Sequence, residues 1–191
     1  MRICVIAGLI SVVAGAAWAE PINYKAAKGM MFKSKGAVVT LIPHPSVSEK
    51  DAKVLKQVGE TQAYYGAIAM SPSEGLASPA LVAATNHHSV ESASAQAIEF
   101  CNDKRESGSK KCVVVAQIFP KKWKAKPVQF SAGATEAFGK EYRRIRGDKA
   151  FATAASTGDF GIGKGETAAA QAVENCAAKN GATDCEVTIA D

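Results

Sequence analysis

Past residue 19 the chain has no apolar run approaching the roughly 20 residues that a membrane-spanning helix needs, and it is short of the side chains that mark most catalytic centres. Histidine occurs three times in 191 residues, as His44, His87 and His88. No Gly-x-Ser-x-Gly elbow accompanies them, so nothing local supports Ser-His-Asp chemistry. Aromatic residues make up 7% of the chain, so its core must pack small side chains in close contact. No cysteine pair has the short C-x2–4-C spacing of structural zinc sites. The glycine-rich stretch Gly161-Ile162-Gly163-Lys164-Gly165-Glu166-Thr167 lacks a Ser or Thr directly after Gly-Lys, so it cannot bring lysine and hydroxyl together on phosphate and magnesium. It reads instead as a turn leading into a helix capped near Glu166. His44 lies between Pro43 and Pro45 in a rigid loop. Neighbouring His87 and His88 would point to opposite faces of a strand, which disfavours joint metal binding and suggests surface or loosely packed roles.

What is present begins at the N-terminus. Met1-Arg2, the apolar run Ile3 to Ala17 and the small-x-small triplet Ala17-Trp18-Ala19, followed by Glu20-Pro21, read as a cleavable secretory signal peptide over residues 1–19. Cys4 stands at the start of the apolar run and does not suit a lipoprotein cleavage site. The expected mature product is residues 20–191, a soluble protein of the periplasm or the external medium with no transmembrane anchor. It has 172 residues (191 − 19) and a net charge of +4 (+5 less Arg2). That length allows one good core or two small ones.

Export changes what the cysteines mean. Four of the five remain after cleavage, Cys101, Cys112, Cys176 and Cys185, and an even number in an oxidising compartment reads as disulfides. Three connectivities are open, and sequence alone does not choose strictly among them. The cysteines nevertheless fall into two matched neighbourhoods. Ala95-Gln96-Ala97-Ile98-Glu99-Phe100-Cys101 recurs as Ala170-Gln171-Ala172-Val173-Glu174-Asn175-Cys176, and each copy leads through a polar turn to a second cysteine opening a β-like run. The economical pairing is Cys101–Cys112 and Cys176–Cys185, each stapling a helix end to the next strand. In the chain-entropy model each closure contributes about 3 kcal/mol.

The repeat extends upstream at an offset near 85. Ser48-Glu49-Lys50-Asp51 looks like a capped helix start, with Val54, Leu55 and Val58 at helical spacing, and the run from Tyr64 to Met70 reads as a strand. Thr135 to Ile145 and Ala150 to Ala155 correspond to these in the second half. Residues 71–80, rich in Pro, Ser and Gly, form an extra loop in the first copy. The expected fold is α+β: two strand-helix-strand-strand-helix-strand units, about 36–119 and 126–191, packed as one disulfide-stapled domain behind a flexible segment, 20–35.

The Tyr65-Gly66-Ala67-Ile68-Ala69 strand, the helix ending at Cys101 and the paired Cys112 before a Val-rich strand resemble domain-of-unknown-function family 4189 over about residues 62–191. The resemblance implies a small secreted bacterial protein with a duplicated, disulfide-bearing pattern, and it supplies no catalytic residues. Close relatives of this form often bear the name "5-aminolevulic acid synthase". That activity would need a lysine Schiff base with pyridoxal phosphate and cytoplasmic succinyl-coenzyme A. A 172-residue exported chain suits neither, and no cofactor is expected.

Charge marks the remaining candidate. Residues 120–149 hold nine basic side chains, Lys121, Lys122, Lys124, Lys126, Lys140, Arg143, Arg144, Arg146 and Lys149, against Glu136, Glu141 and Asp148. Trp123 lies among four lysines, a combination suited to an anionic polymer or a membrane headgroup. The expected function is a non-catalytic binding module for an envelope or secreted protein or an anionic polymer, with nucleic acid a poor partner in that compartment. The competing expectation is a small periplasmic enzyme, hydrolase-like, with an unmarked site. A convergent pocket holding His87 or His88 beside a carboxylate or serine would favour the enzyme, and a flat basic surface around Trp123 would favour binding.

Overall fold

The computed structural model describes residues 20–191. The expected signal peptide, 1–19, and Cys4 lie outside the described residues. The described residues are mixed α and β, with five α-helices, a 3-10 turn at Tyr142–Arg144 and two small antiparallel sheets. Strands β1 (Ala37–Leu41), β2 (Gly66–Met70), β3 (Val82–Ala84) and β4 (Val113–Pro120) form the first sheet in the order β1-β4-β2-β3. Strands β5 (Lys149–Ala154), β6 (Phe160–Lys164) and β7 (Cys185–Ala190) form the second in the order β6-β5-β7. The helices are α1 (Tyr24–Met30), α2 (Glu49–Glu60), α3 (Val90–Lys104), α4 (Ala132–Lys140) and α5 (Ala168–Asn180).

Alternation along the central strands sorts the core into a close-packed face and a bulkier one. Ala67 and Ala69 of β2 face Ala93, Ala97 and Cys101 of α3, whereas Ile68 and Met70 pack with Leu55 of α2. The second half behaves alike. Ala150, Ala152 and Ala154 of β5 meet Ala168, Ala172 and Cys176 of α5, while Phe151 packs with Ala134, Ala137 and Phe138 of α4. Small faces let the cysteine-bearing helices ride close to their sheets, and both disulfides form as the economical pairing predicts. Cys101–Cys112 and Cys176–Cys185 have Cα separations of 6.0 and 6.1 Å. Of the apolar α2 positions only Leu55 is buried; Val54 and Val58 face solvent.

Both sheets also break register at one place. The β2–β4 ladder shifts between Ile68 and Ala69, and the β5–β7 ladder between Phe151 and Ala152. The residues bulged out opposite are Val115 and Thr188, and their carbonyls are used alike. Val115 O accepts from Ile42 N at 2.9 Å, and Thr188 O accepts from Ile22 N at 3.0 Å.

Three expectations need correction. The second half has no opening strand, because β4 gives way to a lysine-rich connector with Pro127 and the chain enters α4 at Ala132. Beside β7 the N-terminal segment takes that place through a parallel bridge, Ile22 to Ile189. Residues 20–35, expected to be flexible, contain α1. Asn23 caps this helix, Tyr24 stacks on Phe138 at 5.0 Å and Ala27 is buried. Residues 161–164 are strand rather than turn, because Gly161 and Gly163 let β6 lie against the α5 backbone; the helix begins next to Glu166 as expected, with Thr167 at the N-cap position making no side-chain cap bond.

Candidate functional site

Two surface features carry chemistry: a cleft at the seam between the halves and a basic strip. The seam is built from short polar links. Ala132 N donates to Tyr64 O at 3.1 Å, and His88 N donates to Thr157 O at 3.0 Å. Asn86, in the left-handed region at φ +64°, accepts Gly133 N on its Oδ1 at 2.8 Å and so satisfies an orphan amide in the first turn of α4.

The histidines sit inside this seam, which corrects the expected surface placement. Both are buried, because the β3–α3 loop that carries them is clamped against residues 131 and 157–159. They do face different partners. His88 Nδ1 accepts Ser131 N at 3.0 Å, so its proton lies on Nε2, 2.8 Å from Asp159 O. Burial is the main cause that pushes the His88 ring down to about 4. His87 Nε2 lies 2.8 Å from Gln96 Oε1 and its Nδ1 3.2 Å from Ser92 Oγ. Burial lowers its basicity too, against the opposing Gln96 bond. His44 is half-buried in its Pro-flanked loop, with Nδ1 accepting Ser46 N at 3.2 Å.

A cleft of about 380 Å³ opens where α3, the 85–87 loop, the β5–β6 turn and the end of α5 meet. It brings His87 beside Asp159, with Ser92 behind the ring, which is the grouping that a hydrolase would require. The Asp159 carboxylate, however, is bonded to Thr157 and Asn180 rather than to the His87 ring, whose partners are Gln96 and Ser92, so no relay runs from carboxylate to imidazole to hydroxyl. Among the described residues no three His, Cys, Asp or Glu side chains gather as metal ligands, and no helix is long and apolar enough to cross a membrane.

The basic residues divide by use. Lys126 donates to Gly29 O at 3.1 Å and lies 4.1 Å from the centroid of Phe32, so it props the N-terminal segment. Lys149 stands over Tyr24 and Tyr142, at 5.0 and 4.8 Å, and Lys140 pairs with Glu136. Lys121, Lys122, Lys124, Arg143, Arg144 and Arg146 remain exposed, and Trp123 packs against Phe119 at 4.8 Å while staying 40% exposed.

Sequence reasoning missed what joins these two exposed groups. Helix α1 and the residues after it run from Tyr24, against Phe138 and Lys149, to Phe32 and Gly36, against Lys126 and Lys121. This segment adds exposed Lys25, Lys28, Lys33 and Lys35. Lys140, and more weakly Lys35, hold the Glu136 carboxyl on α4 below its ordinary range. The 24–36 segment thus ties the connector to β5, and with the loop and the turn it carries ten exposed cations, four, three and three, which together make up a basic strip. The Lys-rich composition of residues 25–35 was the available signal, but its partners are about a hundred residues away in sequence.

Compared with protein-family models, curated proteins and solved structures, the chain matches none.

Proposed function

We propose that this chain is an exported, non-catalytic envelope protein that holds an anionic polymer along the basic strip. The observation that carries the reading is the 24–36 segment, which runs between Lys149 and Lys126, at the ends of the stretches that hold the Arg143–Arg146 turn and the Lys121–Lys124 loop, and contributes lysines of its own. Among the described residues only Lys140 is in an ion pair, so the strip's charges are available to a partner. A row of like charges raises the local concentration of a polyanion and draws it in, and exposed Trp123 adds a flat ring beside them. The signal-peptide reading of residues 1–19 and two disulfides suited to an oxidising compartment support a periplasmic or secreted location. The matched bulges, alanine faces and disulfides support origin as an internal repeat.

The test uses the mature, oxidised protein on immobilised dextran sulfate and on anionic polymer from envelope extracts. Retention should fall steeply between about 0.01 M and about 1 M salt, as the Debye length shrinks from about 30 to about 3 Å. Replacing Lys121, Lys122 and Lys124 by Gln should weaken binding roughly tenfold, at a few tenths to about 1 kcal/mol per exposed pair. Replacing Lys25, Lys28, Lys33 and Lys35 should do the same. Retention that ignores both sets of changes would sink the proposal.

A further inference from the structure

The seam cleft calls for a different ligand from the basic strip. No lysine or arginine lines it, and its floor holds Asp159, a carboxylate only 7% exposed. Asp159 Oδ2 accepts from Thr157 Oγ1 at 2.9 Å and Oδ1 accepts from Asn180 Nδ2 at 2.6 Å. A carboxylate has about four lone-pair sites, so acceptor capacity remains on both oxygens. Lys179, which feels the Asp159 charge, has its Nζ over the Phe160 ring, 3.4 Å from the centroid, instead of in the cleft. An anion in the cleft would therefore meet a buried negative charge with no cation in the lining to pair with.

The amides around the floor are half-spent in a consistent way. Gln96 uses Oε1 on His87, and Asn86 uses Oδ1 on Gly133 N. Each has its NH2 left as a donor, while Asn180, having given its NH2 to Asp159, has its carbonyl left as an acceptor. Donors and acceptors are thus both present among the residues of one polar floor. An apolar ligand would strand these groups without partners, and a simple cation would face the two amide donors. The remaining wall is Phe100, whose ring is 43% exposed beside the cleft.

A molecule fitting this site presents several neighbouring groups that both donate and accept, carries no net charge and has an apolar C–H face for the ring. We infer that the seam cleft binds a neutral saccharide. Vicinal hydroxyls bridge the Gln96 and Asn86 amides to the Asp159 and Asn180 oxygens, and the sugar's C–H face lies on Phe100. At about 380 Å³ the cleft is within the usual size of small-ligand sites, about 300–1,000 Å³. Both halves contribute, so the site exists only when the seam is closed. This inference goes beyond the polyanion reading and does not depend on it.

The experiment titrates the mature, oxidised protein with maltotriose and chitotriose, and with citrate and putrescine as an anion and a cation. Binding is followed by calorimetry and by backbone amide NMR shifts. At least one saccharide should bind saturably, with shifts clustered at residues 85–87, 157–159 and 180. Phe100→Ala and Asn180→Ala, both at exposed positions, should each weaken it about tenfold. Replacing Lys121, Lys122 and Lys124 by Gln should leave it unchanged, which separates this site from the strip. The inference is overturned if neither saccharide binds or if citrate or putrescine occupies the cleft. It also fails if the shifts fall elsewhere, a readout on the unmodified protein that does not need the variants to fold.

Discussion

Both ring nitrogens of His88 are committed in the neutral form, one accepting from Ser131 N and one donating to Asp159 O. Protonation would set a second N–H against the Ser131 N–H and place a charge in a buried joint. The His88 pKa is about 4 in the fold, against about 6.5 in an unfolded chain, so the unfolded state binds the proton more readily. The stability this neutrality confers is full above about pH 6.5 and is lost as pH falls toward 4, about 3 kcal/mol in all. Urea midpoints measured between about pH 7 and pH 4.5 should therefore drop on acidification. His88→Gln retains an N–H for Asp159 but has no titrating ring. It should lower stability near neutrality by about 1–3 kcal/mol and flatten the acid dependence, with His87 common to both proteins. Parallel pH profiles for the two would refute this role for His88.

At the scale of elements, β6 and α5 meet backbone to backbone. A Cβ at Gly163 would stand 1.9 Å from Ala168 O, and one at Gly161 2.0 Å from Ala172 O. Gly163→Ala should therefore push α5 off its sheet and cost about 1–3 kcal/mol. Gly139, exposed near the end of α4 with nothing within 4 Å of its Cβ position, predicts the opposite sign. Gly139→Ala should stabilise by up to about 1 kcal/mol, and thermal melts of the two variants check both signs. The same contrast explains what the sequence made legible. The cysteine-bearing helices, the strands after them and the disulfide partners rest on short-range periodicity and spacing. The Gly161–Lys164 segment looked like a turn because its glycines serve a helix not yet placed. Helix α1 went unread because its seven residues gain their order from Phe138 and the Ile22–Ile189 bridge, over a hundred residues away. Of the cleft only His87 was legible, since Asp159, Asn180 and Phe100 reach it from three separate elements.

For the whole molecule the deciding question is whether the halves stand alone. Each has its own sheet, its own disulfide and roughly half of the described chain, and a unit of that size buries too little surface to be more than marginally stable. The seam makes them one body, and its tightest point is Gly158, where a Cβ would fall 1.6 Å from Asn86 O and 3.1 Å from His87 Cα. These are backbone atoms on both sides, so neither can swing away as a side chain would. Gly158→Ala must then separate the 86–88 loop from residues 157–159, taking with it the His88 N bond to Thr157 O and straining the His88 joint. Loss of two or three such bonds, at about 1 kcal/mol each, corresponds to a fall in melting temperature of about 5–10 °C for a chain of this length. The disulfides lie within the halves, so each half keeps its staple while their coupling weakens. Scanning calorimetry should show one cooperative transition for the parent protein and a calorimetric enthalpy exceeding the van't Hoff value for the variant, as the halves begin to melt separately. An unchanged melting temperature with a single two-state transition would show that the halves cohere through α1 and the aromatic packing instead.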